Sequence, residues 1–248
     1  MNDKVVEKKR YDKKAQILLK TNSFAQTNII PLYLNSPYDY YFKLFKNLSK
    51  KNKILEIGSG VGQNTSQLLD MSFKVCATDI SSTSVKIMNK KFSKYKNFTS
   101  KVVDMEHLPF DDHNFDVICM AGCLSYGNNQ IVMNEIYKAL KPGGTVIIVD
   151  SLNNNPIYQF NRYIRYLLNK RSKSTLKRIP DINLIEKYMK KFGSGKVKYF
   201  GSITWVFPLL KLILSDKSIL NLSNWIDLRL NIKKSAFKFV LQLKKINY

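Results

Sequence analysis

Ile54-Leu55-Glu56-Ile57-Gly58-Ser59-Gly60-Val61-Gly62-Gln63-Asn64-Thr65 sets apolar residues around one acid, then places three glycines at every second position. Apolar positions resume at Leu68 and Leu69. The stretch predicts a buried strand, a tight glycine turn and the start of a helix. A residue without Cβ adopts positive φ and lets a ligand lie directly against backbone. The helix behind it offers unpaired N–H groups to whatever sits in the turn. A dinucleotide fingerprint needs a third glycine where Gln63 stands, so that the helix packs over a pyrophosphate. Here the glycines fall at 58, 60 and 62, and the dehydrogenase reading fails on Gln63.

Downstream, strand-like runs alternate with helical patterns. Phe73 to Asp79 reads as a strand ending in an acid, and Ser81 to Phe92 as a helix opened by capping serines. Phe98 to Val103 is a strand closing on Asp104, and Phe115 to Ala121 another, followed by a helix around Ile131 to Leu140. Pro142-Gly143-Gly144 predicts a turn before a fifth strand, Thr145 to Asp150. Alternation at this pace means βαβ units, a parallel sheet and helices on both faces. Ligands in such sheets bind at the carboxyl ends of the strands. Gly58 to Gly62, Asp79, Asp104 and Met120 to Gly122 are therefore expected to converge.

Upstream, residues 1–50 carry two helical runs, one with Ala15, Ile17, Leu18 and Leu19 and one from Tyr38 to Leu48, broken by Pro31 and Pro37. Beyond the core, Asn153 to Pro156 reads as a linker, Ile157 to Asn169 as an aromatic and basic helix, and Asp181 to Phe192 as another helix. Lys196 to Phe200 and Ala236 to Leu243 are strand-like and complete the sheet as a closing pair. Between them lie an apolar segment, Ile203 to Leu214, and a helix around Ser218 to Leu230. The expectation is an α/β fold with a doubly wound, seven-stranded, mostly parallel sheet. It forms one domain over 1–248: a helical lid (1–50), a ligand-binding core (51–151), a cap rich in Arg and Tyr (152–195) and a sheet-completing segment with a helical insertion (196–248).

Composition bounds the function. Lys and Arg number 41 against 18 acids, a net charge of +23. That charge suits a polyanionic partner such as nucleic acid or a membrane surface. Its alternative source is compositional bias, since the lysines are spread from end to end. No apolar run reaches the roughly 18 residues of a membrane span. The longest, Ile203 to Leu214, is interrupted by Pro208 and Lys211. The N-terminal stretch (Lys4, Glu7, Lys8, Lys9, Arg10) lacks the apolar core of a signal peptide, so a cytoplasmic location is expected. Cys76, Cys119 and Cys123 lack metal spacing and read as buried thiols in a reducing compartment, and no metal is expected.

Four motifs stand in order: Glu56-x-Gly58-x-Gly60-x-Gly62; Asp79; Asp104-Met105-Glu106-His107-Leu108-Pro109-Phe110 with Asn114-Phe115-Asp116-Val117; and Leu140-Lys141-Pro142-Gly143-Gly144-Thr145. Together they resemble class I S-adenosylmethionine (SAM) methyltransferases of the small-molecule "type 11" branch, with the ubiquinone- and menaquinone-type enzymes. The likeness covers residues 50–151. It implies a Rossmann-like methyltransferase fold with SAM as cofactor and S-adenosylhomocysteine as product. The turn then holds the amino-acid end of SAM, and Glu56 reaches its ammonium directly or through water. Asp79 takes the ribose hydroxyls, as an acceptor-only carboxylate can, and Asp104 with Met105 takes the adenine. The expected cofactor contacts are Glu56, Gly58, Ser59, Gly60, Gly62, Gln63, Asp79, Ile80, Asp104, Met105, Met120 and Ala121.

Methyl transfer from a sulfonium needs no general acid, and alignment of the reacting atoms supplies most of the rate. A base helps where the acceptor is a poorly ionised hydroxyl. His107 and His113 read as exposed loop residues and Cys123 as a packed one. Tyr126 is the candidate catalytic residue lining the acceptor site, or else an aromatic cap over the cofactor. The Asn/Asp-Pro-Pro-Tyr/Phe motif of adenine methylators is absent after the fourth strand, where Ala121-Gly122-Cys123-Leu124 stands, and so is a Pro-Cys nucleophile. Four of six arginines fall at 162, 165, 171 and 178, interleaved with Tyr158, Phe160, Tyr163 and Tyr166. Arg162, Arg165 and Tyr158 are the expected grip on an anionic acceptor, because arginine offers a planar fork for phosphate. The alternative is an amphipathic helix with a solvated basic face. The lid, Asn-Asn-Asn-Pro-Ile-Tyr and the Arg-rich insertion resemble methyltransferases found with bacterial surface-polysaccharide biosynthesis. That implies O-methylation of a small capsule or lipopolysaccharide precursor, such as a nucleotide-linked sugar, by a monomer or homodimer. The rivals are an RNA methyltransferase using the basic surface and a non-catalytic SAM-binding protein.

Overall fold

Val117, Ile118, Cys119 and Met120 are buried in succession, as strand residues are where helices cover both faces of a parallel sheet. The computed structural model describes residues 3–21, 35–168, 171–230 and 232–246. Its sheet comprises β1 (Lys53–Ile57), β2 (Lys74–Asp79), β3 (Phe98–Val102), β4 (Phe115–Ala121), β5 (Leu140–Ser151), β6 (Gly193–Phe200) and β7 (Lys238–Lys245), in the order β3-β2-β1-β4-β5-β7-β6. The first five strands pair in parallel, and β7 runs antiparallel between β5 and β6. The helices are α1 (Asp3–Thr21), α2 (Ser36–Phe45), α3 (Gln63–Asp70), α4 (Ser82–Lys91), α5 (Asn129–Ala139), α6 (Pro156–Leu167), α7 (Lys173–Lys177), α8 (Ile182–Phe192), α9 (Phe207–Leu210) and α10 (Asp216–Arg229).

Alternation along β1 assigns its side chains to two cores. Leu55 and Ile57 join Ile118, Met120 and Ile148 beneath α5 and α8, which contribute Val132, Ile136, Ile185 and Phe192. Ile54, Val75, Ala77 and Val149 face the other way, against Tyr41, Phe45, Leu68 and Met88 of α2, α3 and α4. The chain leaves β1 toward β2 and β3, then returns to β4 on the other side. The crevice outside the carboxyl ends of β1 and β4 is therefore the switch point where ligands bind in open α/β sheets.

The seven-stranded, mostly parallel sheet is the one the sequence predicts. Its boundaries differ where turns join the ladder. Phe115 faces Leu140 and Val117 faces Thr145, so Lys141 to Gly144 form a bulge inside β5 instead of a turn before it. The last strand begins at Lys238, with Ala236 packed just ahead of it. Helix starts follow their caps: Ser81 Oγ accepts from Ser84 N, Asn155 Oδ1 from Ile157 N and Asp181 Oδ1 from Leu184 N. The apolar run 203–214 folds only as a short 3₁₀ turn and α9. Pro31 and Asn169 and the side chains of Leu18 and Leu19 lie outside what the structure describes.

Candidate active site

The turn after β1 is closed by its own backbone. Ser59 N and Ser59 Oγ both donate to the Thr78 carbonyl, each at 3.0 Å, and Gly62 N donates to Ser59 O at 3.0 Å. At Gly62 φ is +79°, and an added Cβ would meet the Phe92 ring at 2.4 Å. At Gly60, where φ is +57°, an added Cβ would meet nothing within 4 Å, because that direction is open. The third glycine thus lets α4 pack close, and the second leaves backbone bare toward the crevice.

Two strand-end acids hold this geometry. Asp79 accepts from Gly60 N at 2.8 Å through Oδ2 and from Ser81 N at 2.9 Å through Oδ1. Asp104 accepts from Lys4 Nζ at 2.7 Å and from Glu106 N at 3.0 Å. A third acid sits behind the turn: Glu56 is buried, and its Oε2 accepts the Thr65 hydroxyl at 2.5 Å. Burial pushes the Glu56 carboxyl up to about 7; the Thr65 hydrogen bond works against this and the Asp79 charge adds to it. Burial raises the Asp79 carboxyl as well, and the hydrogen bonds from Ser81 and Gly60 oppose that rise. At Asp104 burial is outweighed by Lys4 and the Glu106 amide, so its carboxyl lies below the usual range.

A cavity of about 190 Å³ opens at this edge. Gly58, Ser59, Gly60, Gln63, Asp79 and Ile80 form one wall, Asp104 and Met105 a second, and Ala121 and Tyr126 a third. α1 lies across the opening and contributes Lys4, Glu7 and Tyr11. It is held by Lys4 on Asp104 and Glu106 and by Asp12, which accepts the Ser81 hydroxyl. Tyr11 meets Tyr126 edge to face at 5.4 Å. Burial raises both phenols, so each is protonated at neutral pH.

The residues present fit SAM. Two backbone N–H groups leave Asp79 with lone pairs for two ribose hydroxyls, Gly60 gives bare backbone, and Met105 beside Asp104 gives an apolar face with an acceptor. Residues 55–148 match the family model described as a methyltransferase domain. Over this segment the chain is similar to a methyltransferase domain. Over 121 residues the chain is 29% identical to a demethylmenaquinone methyltransferase of Tropheryma whipplei (strain Twist), covering 47% of this chain and 49% of that protein. It is 33% identical over 119 residues to sterol 4-C-methyltransferase strm-1 of Caenorhabditis elegans, covering 46% and 36%. The chain thus matches half or less of the length of these relatives. Among solved structures, Haemonchus contortus phosphoethanolamine N-methyltransferase 2 with phosphomonomethylethanolamine and S-adenosylhomocysteine superposes with a TM-score of 0.64 at 19% identity. That match covers 96% of this chain and 58% of the other. The fold is the Rossmann-like fold of SAM methyltransferases.

The fold does not place every expected residue at the cavity. Glu56 lies behind the glycine turn, Gly62 is packed on Phe92, and the Met120 side chain belongs to the core under α5. The expected acceptor grip is also elsewhere. Arg162 is buried, donates through Nη1 to Leu152 O at 2.8 Å and Asn153 Oδ1 at 3.1 Å, and lies over the Tyr158 and Phe237 rings. The Tyr158 hydroxyl is held by Thr204 and the Gly201 carbonyl. Arg165 is exposed, and none of the three lines the cavity. The physical reason is local: the chain leaving β5 exposes carbonyls that need donors, and a buried guanidinium supplies them. Arg162→Ala is accordingly expected to cost about 2 kcal/mol of stability, read as a lowered Tm, with SAM affinity unchanged. An unchanged Tm would remove this structural role. His107 and His113 are exposed loop residues, and the Cys123 thiol donates to Ile57 O at 3.2 Å.

The sequence reading missed Lys4, Glu7 and Tyr11. Their spacing puts them on one face of a helix, but a charged stretch with few apolar residues reads as a solvated surface.

Proposed function

We propose that the protein is a SAM-dependent methyltransferase acting on a small-molecule acceptor, with α1 as a lid over the cavity of the 51–151 core. The convergence of Gly60, Asp79, Asp104 and Met105 on one cavity at the β1/β4 switch point carries this reading. SAM supplies a methyl group already activated on a sulfonium. The chain's part is to hold and to shield: the glycine turn takes the amino-acid end, Asp79 the ribose, and Asp104 with Met105 the adenine. Glu56 acts from behind the turn, fixing Thr65 in the first turn of α3 and placing a carboxyl near the ammonium.

Beside that pocket, α1 excludes water and brings Glu7 and Tyr11 against Tyr126. A buried carboxylate and two neutral phenols suit an acceptor that donates hydrogen bonds, a hydroxyl or an amine. Glu7 accepts from Arg10 at 3.0 and 3.1 Å and keeps lone pairs for a donor. Tyr126 is assigned the positioning of that acceptor, since its raised phenol does not act as a base at neutral pH. Among the described lining residues the basic one is Lys4, already engaged by Asp104 and Glu106. The nucleotide-linked sugar of a capsule or lipopolysaccharide pathway thus rests on sequence resemblance alone. The cytoplasmic location belongs to the same reading, supported by three free, buried cysteines.

The test is transfer of radiolabelled methyl from SAM to fractionated small-molecule, lipid and RNA pools. Label in a small-molecule or lipid fraction, lost in Asp79→Ala, is expected. Label confined to RNA would transfer the protein to the RNA-modifying class. Tight SAM binding without transfer to any pool would make it a SAM-binding regulator.

A further inference from the structure

α6 is built with its polarity reversed. Its buried side carries Tyr158 and Arg162, while Ile157, Phe160, Ile164 and Leu167, spaced at helical intervals, are exposed. A second apolar surface follows β6: Leu212 and Ile213 are 82% and 84% exposed, and Trp225 and Leu228 of α10 also face solvent. The two surfaces are fastened to one turn. Tyr158 is held by Gly201 and Thr204, while Asp227 of α10 accepts from Gly201 N at 2.6 Å and from Ser202 N at 3.0 Å.

Both surfaces lie at the edge of the sheet that holds the cavity. α6 follows the carboxyl end of β5, and the 201–237 segment follows that of β6, which runs parallel to β5. A soluble monomer rarely exposes this much clustered apolar surface without a partner. Charge selects the partner. Residues 201–237 carry Lys211, Lys217, Arg229, Lys233 and Lys234, all exposed, against Asp216, which pairs with Lys211, and the buried Asp227. On a chain of net charge +23, a like-charged second copy is repelled, whereas an anionic surface is attracted.

We propose that α6 and the 203–230 segment dock the protein onto an anionic membrane surface. The apolar side chains enter the headgroup–acyl boundary and the lysines meet acidic headgroups, as in interfacial attachment. No helix among the described residues is long and apolar enough to cross a membrane. This docking stands independently of the methyl-transfer reading.

Sedimentation of the full chain with vesicles tests it, comparing phosphatidylcholine alone with phosphatidylcholine containing about 30% phosphatidylglycerol. Binding to the anionic vesicles and not to the neutral ones is expected. The double variants Leu212→Glu/Ile213→Glu and Phe160→Glu/Leu167→Glu should each weaken it at least about tenfold, with circular dichroism and Tm retained. All four positions are exposed, so the fold does not depend on them. Absence of vesicle binding would overturn the proposal, as would binding that the apolar variants leave unchanged, since net charge alone would then explain it. A dimer in light scattering that the same variants dissolve would assign the face to a second copy, and RNA binding lost in them would assign it to nucleic acid.

Discussion

Replacing Asp79 by alanine is expected to weaken SAM binding by at least about a hundredfold, since each hydrogen bond to a charged group contributes about 1.5–3 kcal/mol and 1.4 kcal/mol is tenfold. Two ribose hydroxyls lose their acceptor. The Gly60 and Ser81 amides lose theirs as well, so the glycine turn and the start of α4 loosen together. Calorimetry with SAM and S-adenosylhomocysteine should show similar losses, because the two share the ribose. Asp79→Asn keeps one acceptor oxygen and should fall between wild type and alanine. Asp116→Ala separates binding from stability. That acid anchors Lys53 N and Lys141 at the opposite edge of the sheet, so its loss should lower Tm and leave SAM affinity intact. Unchanged affinity for both ligands in a folded Asp79→Ala protein would remove the ribose assignment.

The core was legible in the sequence because its signals are local. A strand that must end under a glycine turn announces both in consecutive residues, and the acid at 79 follows because β2 lies beside β1. What sequence could not show was direction in three dimensions. Glu56 stands two residues before Gly58, yet strand alternation turns it into the α3 side and away from the cavity. Arg162 and Tyr158 have the composition of a phosphate grip, but one face of α6 must satisfy the carbonyls after β5, and Arg162 is turned inward to do so while Arg165 stays exposed. Lys4, Glu7 and Tyr11 were hidden for the opposite reason. A polar helix gains its meaning only when it crosses a crevice, and the crevice is assembled from residues 50 to 120 positions away.

The pH dependence of the buried Glu56 should carry opposite signs for folding and for ligand binding. Its carboxyl, normally at 4.5, is held at about 7 in the folded chain. Between those values the native protein keeps a proton that the unfolded chain releases, so stability falls as pH rises across this window. The loss is complete above the folded value and amounts to about 3 kcal/mol at about 1.4 kcal/mol per pH unit. Glu56→Gln should match wild type near about pH 5 and exceed it in Tm at about pH 8, because the amide oxygen still accepts the Thr65 hydroxyl without a buried charge. SAM reverses the balance. Its ammonium favours the ionised carboxylate, so wild-type affinity should climb between about pH 6 and pH 8, with proton release detectable from binding heats in two buffers. In Glu56→Gln the climb and the proton release should vanish, and affinity at about pH 8 should drop roughly tenfold. A variant no more stable than wild type at high pH would mean that the carboxylate is solvated. An unaltered affinity curve would mean that the ammonium lies beyond its reach. The expected pair, stability gained and affinity lost, identifies Glu56 as an acid that the fold tolerates at a cost because the ligand needs its charge.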